Sequence, residues 1–251
     1  MRKSLIPLYL RSERKPYELL LRELRMFVKE NPPGNGMEAE GFMNFEEEYE
    51  EGAFFNFDYF RSYVEEKVDP RGIGTYKVPI MYTIMISVLK DPYMLLIFGR
   101  DIKMVSRILE RLEPIEHKDR QYITFNPDFI EYLNTAMSND PWYQKIFNGD
   151  LESRGRRGFA GKAHELTERY PDLNRRFNDL SKRVVFREHA EVAVALKEVV
   201  VSLRVYASGK VTVTLPGNID VKRAIPLIGK AVDRLVKAQK TYETLRASGS
   251  P

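Results

Sequence analysis

Residues 78–112 read VPIMYTIMISVLKDPYMLLIFGRDIKMVSRILERL, and this stretch decides the fold. Val78–Leu89 is apolar and rich in β-branched residues, the composition of a strand buried on both faces. Lys90-Asp91-Pro92 is a turn, and Tyr93–Phe98 is a second strand. Asp101 then stands where a side-chain oxygen can cap a helix running from Ile102 to about Leu112, with Pro114 ending it. The same grammar returns near the C-terminus. Val199–Ala207 reads as a strand, Ser208-Gly209 as a hairpin turn, and Lys210–Leu215 alternates. That alternation sets Val211, Val213 and Leu215 inward and Thr212 and Thr214 outward. A helix follows to about Leu245, burying Ile225, Ile228, Val232, Leu235 and Val236. Pro226 is expected to delay its regular part, because a proline clashes with the preceding turn. Strand–turn–strand–helix thus occurs twice, at 78–112 and 199–245, without a residue-level match between the copies. Both units call for an antiparallel sheet covered by helices on one side, hence an α+β fold.

Working outward, Ser4–Leu10 reads as a short strand. Ser12 is expected to cap a helix to about Lys29, with Pro16 in its first turn. Leu19, Leu20, Leu24, Phe27 and Val28 share one face of it. Asn31–Gly36 (NPPGNG) ends that helix as a loop. An acidic segment and an aromatic cluster follow, Phe54, Phe55, Phe57, Tyr59, Phe60 and Tyr63, a composition of core or interface; Asp69–Gly72 is another break. From Gln121 the chain reads as mostly helical, with Asn126-Pro127-Asp128 opening one helix and a second piece around Trp142. Gly149–Gly161 reads as a basic loop and His164–Leu180 as a polar helical stretch. The organisation is either two regions, 1–118 and 119–251, or one continuous domain.

The chain of 251 residues contains no cysteine. That excludes disulfides, a thiol nucleophile, iron–sulfur clusters and cysteine-ligated zinc. Abundant Lys, Arg and Glu fit a thermophilic source. The N-terminal apolar run is too short for a signal-peptide core, and no run approaches the ~20 residues of a spanning helix. A cytoplasmic location without a membrane partner is expected.

Net charge is +4, but unevenly spread. Between Glu38 and Asp69 eleven acids face two bases, and between Ser153 and Arg187 ten bases face four acids. Such asymmetry bears on partners rather than on fold. Consecutive acids at Glu46–Glu51 do not share a face, so a solvated acidic loop is expected there rather than a metal site. His164-Glu165-Leu166-Thr167-Glu168 opens like a zinc-protease helix, yet Glu168 occupies the place of the second histidine. Gly155–Ala163 fails as a phosphate loop: five residues separate the first glycine from Gly161-Lys162, and Ala163 replaces the magnesium-binding hydroxyl. No nucleophile elbow occurs. What survives at 154–162 is a basic loop in which Arg154, Arg156, Arg157 and Lys162 could grip phosphates while Phe159 stacks. No catalytic residue, metal ligand or cofactor is singled out.

Val205-Tyr206-Ala207-Ser208-Gly209-Lys210-Val211-Thr212-Val213-Thr214, with the basic helix after it, resembles the hairpin and closing helix of a TATA-box-binding-protein repeat, over about residues 201–241. The resemblance implies a curved TBP-like sheet before it implies DNA binding, and the intercalating phenylalanine pairs of that family are not present. Ile123–Leu133 with Asn139–Tyr143 resembles the opening helix of sterol-carrier-like domains, which implies an apolar ligand under a sheet.

The expected function is that of a non-enzymatic accessory protein. It binds nucleic acid, or an acidic or nucleic-acid-associated partner, through the basic segment 154–187 and the basic C-terminal helix. The expected contacts are Arg154, Arg156, Arg157, Phe159, Lys162, Arg175, Arg176, Lys222, Arg223 and Lys230, joined on the helix by Arg234 and Lys237. A hydrophobic-ligand carrier is the competing class, and a metal-dependent nuclease or hydrolase comes third. Oligomeric state is open at this level.

Overall fold

The structure is a computed structural model describing residues 2–49, 53–72, 74–99, 101–135, 189–196, 199–215, 219 and 221–248. Those residues form nine strands and four α-helices, and the fold is α+β as expected. The chain divides into two compact units. The larger holds residues 4–122 and 220–229, and the smaller holds 1–3, 123–219 and 230–251.

The larger unit is built on an antiparallel sheet in the order β2-β3-β4-β5-β1. Its strands are β1 (Arg2–Leu10), β2 (Ala39–Glu48), β3 (Phe54–Val68), β4 (Thr75–Leu89) and β5 (Met94–Ile97). A short β6 (Arg120–Tyr122) also pairs with β1. One face carries Phe55, Phe57 and Tyr59 of β3 beside Ile84, Ile86 and Val88 of β4, all buried. Helices α1 (Tyr17–Glu30) and α2 (Ile102–Arg111) close this face through Leu20, Leu24, Phe27, Val105 and Ile108. The opposite face is covered too, contrary to the one-sided expectation. It buries Phe54, Leu89, Met94 and Leu96, and Gly229 packs so closely on Leu89 and Pro92 that a Cβ would fall 2.4 Å from Leu89 Cδ2.

Several expectations are corrected here. Residues Arg11–Lys15 form a turn and α1 begins only after Pro16, whose ring fixes the φ of −58° at that cap. Leu19 is exposed and Leu21 is buried in its place. The expected acidic loop is strand at Glu46–Glu48, which belong to β2, while Glu50 and Glu51 lie outside the described residues. A bulge between Met43 and Glu46, with Asn44 at φ 56°, explains why its pattern is hidden. Up to the bulge Glu40 and Phe42 point to the helix-covered face, and after it Phe45 and Glu47 do, so the period of two is broken by one residue. Phe45 consequently lies on the rings of Phe55 and Phe57, at 5.4 and 6.4 Å. The β4 strand is buried only over Ile84 and Ile86–Leu89; its first half is largely exposed. The N-cap at Asp101 is as expected, its carboxylate accepting the Lys103 N–H at 2.9 Å.

The smaller unit contains α3 (Pro127–Thr135), β7 (His189–Leu196), β8 (Val199–Tyr206), β9 (Val211–Thr214) and most of α4 (Val221–Ala247). The three strands make an antiparallel meander, Val192 opposite Leu203 and Leu203 opposite Val213. One face buries Ala190, Val194, Val201, Val205 and Val211. Thr212 and Thr214 face away from that core as expected, but Thr212 is buried on the opposite face whereas Thr214 is exposed. Helix α4 is regular from Val221 and simply includes Pro226, so its start is not delayed. At that place, in the second turn of a 27-residue helix, the proline forfeits one bond, to the carbonyl four residues back. The second helical piece around Trp142, the basic loop and the 164–180 stretch lie outside the described residues.

Candidate nucleic-acid interface

Helix α4 carries seven basic and two acidic side chains over 27 residues. Its inward positions in the smaller unit are Ala231, Val232, Leu235, Ala238 and Tyr242, all buried. This apolar spacing of three and four is what fixes the rotation of the helix. Tyr242 meets the rings of Phe129 and Tyr132 of α3 at 5.5 and 5.0 Å. Gln239 ties the helix to the entry of α3, accepting from the Asn126 N–H at 2.9 Å and donating to the Thr124 carbonyl at 3.3 Å. Arg246 adds an ion pair with Asp128, which holds its guanidinium charged and raises its pKa.

With that face turned in, the cations are turned out. Lys230, Lys237 and Lys240 are exposed and Arg234 is half-buried. Steps of four, three and three residues keep them on one side of the helix over about 15 Å of rise. Asp233 is the acid among them, and its carboxylate sits 2.7 Å from Lys237 Nζ. Its side chain is only 17% exposed whereas that of Lys237 is 72% exposed, so the cation is the group a ligand would meet. Of the expected contacts, Lys230 therefore lies on this stripe. Lys222 and Arg223 fall in the first turn of α4, within the part that belongs to the larger unit, with Arg223 exposed. Arg154, Arg156, Arg157, Phe159, Lys162, Arg175 and Arg176 lie outside the described residues. Lys240 was not singled out by sequence, although its spacing from Lys237 was a readable signal.

A second polar surface lies on the face of the β7–β9 meander opposite its apolar core. The ladder sets Glu191 opposite Arg204 and Arg204 opposite Thr212. Arg204 Nε donates to Glu191 at 2.8 Å, and this bond raises the guanidinium pKa. Arg2, Ser202, Thr212 and Thr214 complete the lining of a shallow depression of about 120 Å³. At its margin Lys210 Nζ stands 5.0 Å over the Tyr206 ring, which also faces His189 at 5.4 Å. Sequence reasoning missed this surface because it left residues 189–196 unassigned. The signal was present: Ala190, Val192, Val194 and Leu196 alternate with Glu191, Ala193 and Ala195.

Among the described residues no group of three or more His, Asp or Glu side chains is placed to hold a metal ion. No helix among them is long and apolar enough to cross a membrane. No protein-family model matches the chain, and none of the curated proteins compared with it matches either.

Proposed function

We propose that the chain is a non-enzymatic accessory protein that binds nucleic acid through the basic C-terminal helix together with the basic segment 154–187. The observation that carries this reading is the stripe on α4. A helix anchored by its apolar side turns Lys230, Arg234, Lys237 and Lys240 to the same outer side with a single acid between them. Cations spaced along a rod suit a phosphate backbone, which is read by charge and not by sequence.

The test is fluorescence anisotropy of a labelled duplex and a labelled single strand, titrated between about 50 and 200 mM salt. Binding is expected to weaken steeply with salt. Lys230→Gln, Lys237→Gln and Lys240→Gln together should flatten the log–log salt slope by about 3, near 0.9 per lost phosphate contact. Absence of binding at the lowest salt, or an unchanged slope in the triple variant, overturns the proposal.

A further inference from the structure

Three guanidinium groups of the larger unit gather about one carboxylate. The strand register sets Glu40 of β2, Arg61 of β3 and Tyr82 of β4 in one row across the sheet, on the helix-covered face. From α2, Arg107 and Arg111 reach the same Glu40. Each oxygen of that carboxylate already accepts two bonds. Oε1 takes Arg107 Nε and the Tyr59 hydroxyl, and Oε2 takes Arg107 Nη2 and Arg111 Nη1. With two lone pairs per oxygen, Glu40 has nothing left for Arg61.

Arg61 is half-buried, yet among the described residues it meets no acid. Its guanidinium carbon lies 4.9 Å over the Tyr63 ring, and Nη1 donates to the Tyr82 hydroxyl at 3.4 Å. Neither partner neutralises it, and a cation drawn partly out of water without a counter-ion is costly. Arg111 likewise engages only one of its nitrogens. No other acid of this region pairs with the three arginines. Glu65, two rungs out on the same face, lies 3.5 Å from Lys67. Asp58 is on the opposite face and accepts from Asn44 at 2.8 Å, while Glu38 and Glu110 are exposed. The bonded cluster therefore carries two positive charges in excess.

Aromatic rings stand beside those charges. Strand β2 reaches along β3 only to Ser62 and β5 pairs with β4 only from Ile86, so β3 and β4 run on past both as a two-stranded ribbon. Tyr63 lies just beyond the reach of β2. It and Tyr82 are half-buried, with their rings edge to face at 6.2 Å. Arginine grips phosphate through paired N–H donors, and a tyrosine ring stacks on an unpaired base whatever its sequence. The charge narrows the ligand further. A phosphate monoester carries about −1.5 to −2 at neutral pH, which matches the excess, whereas a carboxylate or a phosphodiester carries a single charge.

We propose that Arg61, Arg111 and Tyr63 form a binding site for a nucleoside monophosphate, its phosphate monoester on the two guanidinium groups and its base against the Tyr63 and Tyr82 rings. A free nucleotide and the 5′-phosphorylated end of a single strand share this chemistry. The site lies within the larger unit and does not depend on the α4 stripe.

Isothermal titration calorimetry of the full chain with guanosine 5′-monophosphate is expected to show saturable binding. Guanosine should bind at least about tenfold more weakly, as should the nucleotide to Arg61→Gln, since a charge-assisted bond is worth that much. Circular dichroism checks that Arg61→Gln is folded, and Arg111→Gln, at an exposed position, gives the same reading independently. Lys29→Gln, an equal change of net charge at an exposed site on α1, should leave the affinity unchanged. Tyr63→Leu should cost about tenfold, and Tyr63→Phe should restore the parent affinity. A single-stranded oligonucleotide with and without a 5′-phosphate separates the two sources. Preference for the phosphorylated strand identifies a strand end, and nucleotide binding without that preference identifies a free nucleotide. Absence of saturable binding by both the nucleotide and the phosphorylated strand overturns the proposal. So does an equal affinity for guanosine, or an affinity that Arg61→Gln and Arg111→Gln leave unchanged.

Discussion

Glu40→Gln should remove one acid-sensitive contribution to the stability of the larger unit. Glu40 lies on β2 with its side chain only 14% exposed. It accepts from Arg107 Nε and Nη2 at 2.7 Å each, from Arg111 Nη1 at 3.1 Å, and from the Tyr59 hydroxyl. The Arg107 bonds, more than burial opposes them, bring its pKa down from 4.5 to about 2. At 1.36 kcal/mol per unit the upper limit of the pairing is about 3.4 kcal/mol. Arg107 and Arg111 are 40 and 48% exposed, so solvent screening reduces the expected contribution to about 2 kcal/mol. A depressed carboxyl stabilises above its unfolded pKa and ceases to as pH falls through its folded one. This stability is therefore complete above about 4.5 and lost between there and about 2. Urea unfolding of the parent chain and Glu40→Gln at neutral pH should differ by about 2 kcal/mol, and at pH near 2 the gap should shrink towards zero. An equal difference at both pH values would falsify the electrostatic origin and assign the loss to packing.

Two smaller perturbations separate a backbone requirement from a local cap. Gly209 has φ 82° in the β8–β9 turn, and a Cβ there would fall 1.8 Å from the Ile123 carbonyl oxygen. Gly209→Ala should cost about 3 kcal/mol in thermal or denaturant unfolding, combining left-handed strain with displacement of backbone; a loss under about 1 kcal/mol contradicts the close approach. Asp101→Ala removes the acceptor of the Lys103 N–H and should cost only about 1 kcal/mol, whereas Asp101→Asn should be nearly neutral in the same unfolding experiment.

How much of this was readable in the chain follows from where the determinants lie. The β4–β5–α2 unit was legible because a β-branched run, a proline turn and a capping aspartate act within a few residues of one another. The β8–β9 hairpin was legible for the same reason, since Ser208-Gly209 supplies the positive φ that the turn needs. Strand β7 escaped because alanine and glutamate dilute a pattern whose inward positions only become apolar partners once Val201, Leu203 and Val205 lie opposite. The acids of β2 concealed a strand because the bulge at Asn44 shifts the period of two. Glu40 and Glu47 also find their cations on helices distant in sequence, at Arg107 and Arg25.

By itself, then, the sequence determined the α+β class, the absence of any cysteine chemistry, the two hairpin–helix units and the basic character of the last helix. These depend on local conformational preference, on spacing along one element and on composition. Only the tertiary structure decided which side of α4 meets solvent, that Glu40 is gathered by two arginines, and that β3 and β4 run on past their neighbours as an open ribbon. Those are properties of non-local pairing: where a partner strand stops, and which face a packed helix hides, are set by residues far away in the chain.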